Sequence, residues 1–249
     1  MILLDKVAIV TGSSRGIGAA VALEFAKEGA NVVVGSAKNV EGANEVARKI
    51  GEMGRQALVV MADVRDRHQV DNMVSQGLQK FGKIDILVNN AGNVDLARFR
   101  EVTDEIWDRT IDIHIKGAYN CTKAVIEHMI KQKSGKIINV TSPSAIYGGY
   151  GLPAYSTAKG GIISFTRSLA RELARYHITV NCISPSAYTQ MLDEFKKIPG
   201  FWERILQDHV LGVPKTEDIA PVFAFLASEG ANYVTGQVIS ADGGYSIGG

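Results

Sequence analysis

The chain has 249 residues, of which 46% are hydrophobic, and this content is enough to bury one sizeable core. Its 27 lysines and arginines balance 26 aspartates and glutamates, so no net charge attracts it to nucleic acid or to an anionic membrane. Two cysteines, Cys121 and Cys182, lie in apolar segments without neighbours at metal-ligand spacing, which argues against a disulfide framework and a metal site. Because we find neither a signal peptide nor a membrane-spanning run, we expect one cytoplasmic domain over residues 1–249.

Short apolar runs alternate with stretches of helical periodicity along the whole chain. The runs, typical of buried parallel strands, are Val7–Val10, Val32–Val34, Ala57–Met61, Ile84–Val88, Lys136–Val140, Ile178–Ile183 and Gln237–Ser240. The helical stretches are Ile17–Lys27, Val40–Met53, Gln69–Lys80, Thr103–Lys131, Ala154–Tyr176 and Thr216–Ser228. This alternation predicts an α/β fold of the doubly wound, Rossmann type in a single domain. Residues 186–213 interrupt it with proline, glycine and aromatic residues, and we interpret them as a partly helical lid over a site.

A glycine-rich loop follows the first strand and opens the first helix. It reads Thr11-Gly12-Ser13-Ser14-Arg15-Gly16-Ile17-Gly18. Glycines let the backbone turn tightly and approach a pyrophosphate, whose charge is met by the amides of the helix N-terminus. The spacing G-x-x-x-G-x-G differs from the commoner G-x-G-x-x-G, but its place at the first strand-to-helix junction favours a dinucleotide site.

The ends of the next strands indicate which dinucleotide binds. The second strand ends at Ser36-Ala37-Lys38, without the carboxylate that would bind the adenosine ribose of NAD. A 2′-phosphate can instead be neutralised by Ser36, Lys38 and Arg15, so NADP(H) is favoured and NAD(H) stays possible. The alternative is that Lys38 only points to water. Asp63 follows the third strand and the segment Asn89–Gly92 follows the fourth. These residues can line the ligand crevice of an open α/β sheet, or they can form ordinary turns at the strand ends.

Tyr155 and Lys159 are four residues apart on a predicted helix and therefore share one face. A free phenol titrates near pH ~10, and a cation held beside it favours the phenolate. The pair can thus make an acid or base of useful strength, although the same spacing also occurs in solvated pairs.

Taken together, these residues resemble the short-chain dehydrogenase/reductase family over nearly the whole chain. The family's motifs occur in its order and at its separations, as Thr11-Gly12-x-x-x-Gly16-x-Gly18, Asn89-Asn90-Ala91-Gly92, Ser142, Tyr155-x-x-x-Lys159 and Pro185. The resemblance implies about seven parallel strands flanked by helices, a nicotinamide cofactor, and hydride transfer between that cofactor and a small-molecule carbonyl or alcohol. It also implies a homotetramer, assembled through the long fourth and fifth helices and the C-terminal segment.

The resemblance also assigns roles to particular residues. Tyr155 is the general acid in reduction or the base in oxidation, Lys159 lowers its pKa and holds the nicotinamide ribose, and Ser142 donates a hydrogen bond to the substrate oxygen. The residues expected to bind the cofactor are Gly12, Ser14, Arg15, Gly16, Ile17, Gly18, Ser36, Lys38, Asp63, Val64, Asn90, Ala91, Gly92, Tyr155, Lys159, Pro185 and Thr189. Those expected to bind the substrate are Ser142, Ser144, Tyr147 and Tyr188.

His114 stands where the family usually has an asparagine that supports a water chain to the active-site lysine. The histidine can hold the same water, join the proton relay itself, or mark a weakened enzyme. We expect the first of these roles and count His114 with the catalytic residues.

The second departure from the family pattern follows the sixth strand. Ser186 replaces a glycine, which adds a β-carbon near the nicotinamide and restricts the backbone there. Gln190 falls at the place of a usual threonine and Thr189 just before it, so either can contact the carboxamide.

We therefore predict an NADP(H)-dependent oxidoreductase that interconverts a carbonyl compound and its secondary alcohol. The predicted pocket is apolar with hydroxyls, and Lys196, Lys197 and Arg204 either meet an acidic tail of the substrate or face the solvent. A 3-oxoacyl thioester reductase is an alternative, although residues 145–152 lack the Gly-Asn-x-Gly-Gln run common in such reductases. A catalytically weakened, NADP-binding sensor or regulatory protein is another.

Overall fold

Seven parallel strands form one sheet in the computed structural model, which describes residues 1–189, 193, 195 and 200–248, without the side chain of Arg204. The strands are β1 (Val7–Thr11), β2 (Asn31–Ser36), β3 (Ala57–Met61), β4 (Ile86–Asn89), β5 (Gly135–Val140), β6 (Ile178–Pro185) and β7 (Val238–Ala241). Their order across the sheet is β3-β2-β1-β4-β5-β6-β7. The chain runs outward from β1 to β3 and then returns to β4 on the other side of β1. The reversal opens a crevice at the carboxyl ends of β1 and β4, where doubly wound sheets bind ligands.

Helices cover both faces of this sheet. They are α1 (Gly16–Lys27), α2 (Val40–Glu52), α3 (Arg67–Phe81), α4 (Asp104–Ile111), α5 (Gly117–Gln132), α6 (Ser144–Tyr147), α7 (Pro153–Leu173), α8 (Phe201–Asp208) and α9 (Thr216–Ala227). Helices α1, α2 and α9 contribute to the apolar core on one face, and α3, α5 and α7 to the core on the other. Because both faces are covered, β1 is buried along its whole length, as its unbroken apolar run predicts. The predicted single-domain α/β fold is confirmed.

The predicted helix Thr103–Lys131 is wrong in its middle. Thr103 caps α4 instead, with its hydroxyl accepting from Ile106 N at 3.3 Å. Between α4 and α5, residues Asp112–Lys116 form a π-helical turn. Such a turn inserts one residue and changes which side chains face the core. The buried His114 lies in this turn.

The sequence pattern does not predict the short helix α6, and other differences lie at element ends. Helix α3 begins at Arg67, because Asp66 caps it by accepting from the amides of His68 and Gln69. Pro153 begins α7 at the first helical position, where the missing amide is not needed.

No helix in the described ranges combines the length and hydrophobicity that crossing a bilayer requires. Cys121 and Cys182 are free thiols in the core, where burial raises the pKa of each to about 12.

Candidate active site

The glycine-rich loop packs closely against the end of β4. Gly12 has φ +64°, and a β-carbon there would lie 2.8 Å from Ala91 Cα. A β-carbon on Gly18 would lie 2.4 Å from Asn90 Nδ2, which donates to Thr11 O at 2.8 Å. Any larger residue would therefore push the two strand ends apart. The sequence motif places its glycines where the backbone needs them.

This loop leaves the first turn of α1 available to an anion. Arg15 is the N-cap residue, with extended backbone, and no side chain in the described part of the chain caps the helix. Gly16, the first helical residue, has φ +58°. Uncapped amides and the helix dipole attract phosphate, so the loop fits the pyrophosphate of a dinucleotide.

At the end of β2, Ser36 is buried and its hydroxyl donates to Ser14 Oγ at 3.1 Å, while Arg15 and Lys38 are exposed. Nearby, the carboxylate of Asp63 accepts from Arg65, with Nη2 at 2.6 Å and Nε at 3.0 Å. This contact with Arg65, helped by the charge of Lys38, lowers the pKa of Asp63. Arg65 is not among the predicted site residues, because no motif in the sequence marks it.

Ser142 and Tyr155 meet at the carboxyl end of β5. Ser142 Oγ accepts from Ser144 Oγ at 3.1 Å, and a hydrogen bond joins the side chains of Ser142 and Tyr155. Burial raises the pKa of Tyr155 to about 12, and the bond to Ser142 acts in the opposite direction. The structure thus brings together three of the predicted hydroxyl groups.

Lys159 lies beneath Tyr155 and is 4% exposed. Its ammonium donates to Val140 O at 2.8 Å and lies 5.5 Å from the centroid of the Tyr155 ring. Burial lowers the pKa of Lys159 to about 8. The expected lowering of the Tyr155 pKa by Lys159 is not what the structure shows, because the ammonium bonds to a backbone carbonyl and burial dominates at the phenol.

His114 joins the same cluster from the π-helical turn. Its Nε2 donates to Asn93 O at 2.9 Å, and its ring meets that of Tyr155 edge-on, with the centroids 5.3 Å apart. Burial, and secondly the charge of Lys159, hold the pKa of His114 well below its ordinary value. The ring is therefore neutral with its proton on Nε2, and Nδ1 is an acceptor.

A small cavity of about 10 Å³ lies beside these groups, lined by His114, Lys159 and Asn89 among others. Two acceptor atoms of this lining, His114 Nδ1 and Asn89 Oδ1, are buried without a hydrogen-bond partner among the described residues. A polar cavity of roughly this size holds one water, and buried acceptors require a donor. A water in this cavity can therefore supply the donor that these acceptors require.

The segment after β6 completes the crevice. Thr189 Cγ2 lies 3.7 Å from where a β-carbon on Gly16 would be, so this segment reaches the glycine-rich loop. Ser186 does not have positive φ, since Asp5, Lys133 and His177 are the non-glycine residues described with that conformation. The expected strain of replacing glycine at 186 is therefore absent from the described backbone.

The predicted substrate residues are only partly brought together. Ser144 lies beside Ser142, whereas the Tyr147 hydroxyl donates to Ser246 O at 2.6 Å and the Tyr188 hydroxyl to Asp193 Oδ1 at 3.0 Å. Gln190, Met191, Lys196 and Lys197, within the predicted lid, and the side chain of Arg204 lie outside the described residues.

Comparisons with known proteins agree with this geometry. The family model for short chain dehydrogenases matches residues 6–198. The chain is 40% identical over 245 residues to the (2S)-[(R)-hydroxy(phenyl)methyl]succinyl-CoA dehydrogenase subunit BbsD of Thauera aromatica, covering 98% of this chain and 97% of that protein. It is 39% identical over 252 residues to the 3-oxoacyl-[acyl-carrier-protein] reductase FabG of Thermotoga maritima, covering 99% and 100%. A solved structure from Sinorhizobium meliloti 1021, assigned to the short-chain alcohol dehydrogenases, superimposes with a TM-score of 0.94 at 35% identity and covers 99% of both chains. The chain belongs to the short-chain dehydrogenase family and is an oxidoreductase.

Proposed function

We propose that the protein is an NADP(H)-dependent oxidoreductase that interconverts a carbonyl compound and its secondary alcohol. The convergence of Ser142, Tyr155 and Lys159 at one edge of the crevice carries this proposal. A bound nicotinamide supplies the hydride donor or acceptor. The glycine-rich loop and the uncapped start of α1 fit the pyrophosphate of that cofactor.

In the direction of reduction, the phenol of Tyr155 gives its proton to the substrate oxygen as the carbonyl carbon receives a hydride. Ser142 donates a hydrogen bond to the same oxygen, where negative charge develops, and Ser144 keeps the Ser142 side chain in place. Lys159, with a pKa of about 8, stores a proton near neutral pH and can return it toward the phenol. Oxidation runs the same proton transfers backward.

We propose that His114 takes the place of the usual asparagine by holding the cavity water through Nδ1. Its Nε2 is committed to Asn93 O, and its lowered pKa keeps the ring neutral. The histidine therefore positions a water beside Lys159 and does not itself relay protons.

The preference for NADP(H) rests on the end of β2. The described residues there present no carboxylate to an adenosine ribose, and Arg15 and Lys38 supply exposed cations beside the hydroxyls of Ser36 and Ser14. This arrangement suits a 2′-phosphate better than a free hydroxyl.

A second candidate, a 3-oxoacyl thioester reductase, is favoured by the relatives, whose names describe reactions of acyl-carrier-protein and CoA thioesters. The wall beside Tyr155 suits such substrates. Ala97 N donates to Gly151 O at 2.9 Å, which joins the loop after β4 to the loop between α6 and α7. Ile146 on α6 and Tyr150 in that second loop are exposed. Arg98 lies over the Tyr150 ring, at 5.6 Å from its centroid, as a cation for an acidic carrier.

The test measures oxidation of NADPH and NADH over a panel of ketones, diketones, aldehydes and 3-oxoacyl-CoA thioesters. Tyr155→Phe is compared with the parent, and Tyr233→Phe, which alters a fully exposed tyrosine, is the matched control. We expect NADPH-preferring turnover that is lost in Tyr155→Phe and kept in Tyr233→Phe. Tight NADPH binding without turnover on any substrate would favour the weakened sensor.

We further propose a homotetramer that acts in the cytoplasm on small molecules. Tyr119 on α5 and Ile247 near the C-terminus leave apolar surface exposed on the segments expected to meet other subunits. Light scattering coupled to gel filtration should give four times the chain mass, and a monomer would contradict this assembly.

A further inference from the structure

A serine–histidine contact lies outside the catalytic cluster, where the segment after β6 meets α8. Ser186 Oγ lies 2.8 Å from His209 Nε2, and His209 Nδ1 lies 2.7 Å from Ile205 O. A carbonyl oxygen only accepts, so Nδ1 carries the proton, and in the neutral ring Nε2 accepts from the Ser186 hydroxyl. His209 is 3% exposed, and its ring packs on that of Tyr245 with the centroids 4.8 Å apart. The ring is therefore held on three sides.

The segment that this contact holds is residues 186–189, which we name the crevice loop. Ser186 N donates to Ala241 O at 3.1 Å, and Tyr188 N donates to Pro214 O at 3.0 Å. At its far end, Thr189 comes next to Gly16 of the glycine-rich loop. The crevice loop thus runs from the end of the sheet across to the cofactor crevice, and its position shapes that crevice.

We infer that Ser186 and His209 are a positioning pair that fixes the crevice loop against α8 and thereby shapes the site before ligands bind. The inference rests on the proposed function, since it concerns the same cofactor site. A loop that is already ordered loses less conformational freedom on binding, so the pair should strengthen NADPH binding although neither side chain needs to touch the cofactor. The pair also explains why residue 186 is a serine. The backbone there accepts a side chain, and a glycine at this position would lose the hydrogen bond to His209.

The experiment measures NADPH affinity by fluorescence titration without a carbonyl substrate, together with hydrogen exchange of the crevice-loop amides. Ser186→Ala removes the hydroxyl and should weaken NADPH binding about fivefold, since a neutral hydrogen bond contributes roughly 1 kcal/mol. His209→Asn keeps a donor for Ile205 O but is too short for Ser186, so it should show the same loss. His209→Gln places an amide near Nε2 and should restore most of the affinity.

Further variants make the test specific. The double variant Ser186→Ala/His209→Asn should bind NADPH no more weakly than either single variant, because both remove one bond. Ser134→Ala, on an exposed serine just before β5, is the matched control and should bind as the parent does. In Ser186→Ala, crevice-loop amides should exchange faster, whereas those of β1 should not change.

Parent affinity and parent exchange rates in both Ser186→Ala and His209→Asn would overturn the inference, and so would fully additive losses. If His209→Asn does not fold, Ser186→Ala and His209→Gln still decide between these results. A parent that binds no NADPH would refute the proposed function instead, and the exchange rates would then test the pair alone. If the parent binds NADPH and turns over a substrate, and the variants have the same NADPH affinity and exchange rates as the parent, only the role of the Ser186–His209 pair is refuted.

Discussion

Gly92 packs closely against His114 at the candidate active site, and this packing can be tested by one added methyl group. A β-carbon on Gly92 would lie 2.5 Å from His114 Cε1 and 3.1 Å from Nδ1. Gly92 does not have positive φ, so Gly92→Ala strains the contact and not the backbone. An ordinary carbon contact is about 3.5 Å or more, so the ring must move back by about 1 Å.

The His114 ring has little room to move, and this determines how much Gly92→Ala should destabilise the protein. Its Nε2 lies 2.9 Å from Asn93 O, and a retreat of that size stretches this bond beyond hydrogen-bonding range. The loss of the bond, about 1 kcal/mol, adds to about 1–3 kcal/mol for overpacking. We therefore expect Gly92→Ala to lower the free energy of unfolding by about 2–4 kcal/mol.

The assay is urea unfolding of the parent, Gly92→Ala, His114→Asn and the double variant. Asparagine lacks the ring atoms that the methyl group would meet, so the coupling between the two sites should be about 1–3 kcal/mol. Gly51→Ala is the control, because no atom lies within 4 Å of its added carbon and the position is helical. Additive effects, within about 0.5 kcal/mol, would refute the reasoning that the ring fills this space.

Three further predictions concern charge. His114→Asn should not shift the pH profile of kcat above the ordinary histidine pKa of about 6.5, because the lowered pKa of His114 keeps the ring neutral there. A displaced acidic limb in steady-state rates would contradict this. In binding titrations, Lys38→Ala should weaken NADPH binding about fivefold and leave NADH binding unchanged. Lys49→Ala, on the exposed side of α2, is the control. Equal effects of Lys38→Ala on both cofactors would contradict the proposed role of Lys38. Burial lowers the pKa of Lys159 from 10.5 to about 8, so the contribution of Lys159 to the free energy of unfolding increases as pH rises through that window and decreases as pH falls. Lys159→Met should therefore remove an increase of up to about 3 kcal/mol in the unfolding free energy between those pH values, and an unchanged slope in urea titrations would contradict it. Lys136, whose pKa is also lowered to about 8, contributes a slope of the same sign, whereas Cys121 and Cys182, whose pKa is raised from 9.0 to about 12, contribute the opposite slope above pH 9.

Much of the fold can be predicted from the sequence, because strands buried on both faces leave continuous apolar runs. The run Ala57–Met61 coincides with β3, and the run that begins at Val7 extends one residue further, as β1. The π-helical turn Asp112–Lys116 cannot be predicted in this way. Isoleucines at 111, 113 and 115 recur at every second residue, which is the period of a strand and not of a helix, and one inserted residue leaves no further signal in the sequence.

The site shows the same division between local and tertiary information. The spacing of Tyr155 and Lys159 is local, so the sequence predicts that they share a helix face. Their partners are not local. Val140 O and Asn93 O are backbone carbonyls that any residue carries, and the contact between Ser186 and His209 joins two segments 23 residues apart. No residue type in the sequence marks such contacts.

The pKa of Tyr155 is the property that local spacing predicts least well. The Lys159 ammonium bonds to Val140 O, and burial raises the pKa of the phenol to about 12, against the smaller effect of Ser142. Without cofactor, the absorbance difference between the parent and Tyr155→Phe should thus show no phenolate up to about pH 10, the range in which a free tyrosine ionises. Ser142→Ala should move the ionisation higher, because it removes the group that favours phenolate. A phenolate that forms near neutral pH would show that Lys159 already lowers the pKa and would contradict the burial argument. If the ionisation stays high, the helix supplies the position of the proton donor, and the tuning of its strength must come from groups that bind beside it.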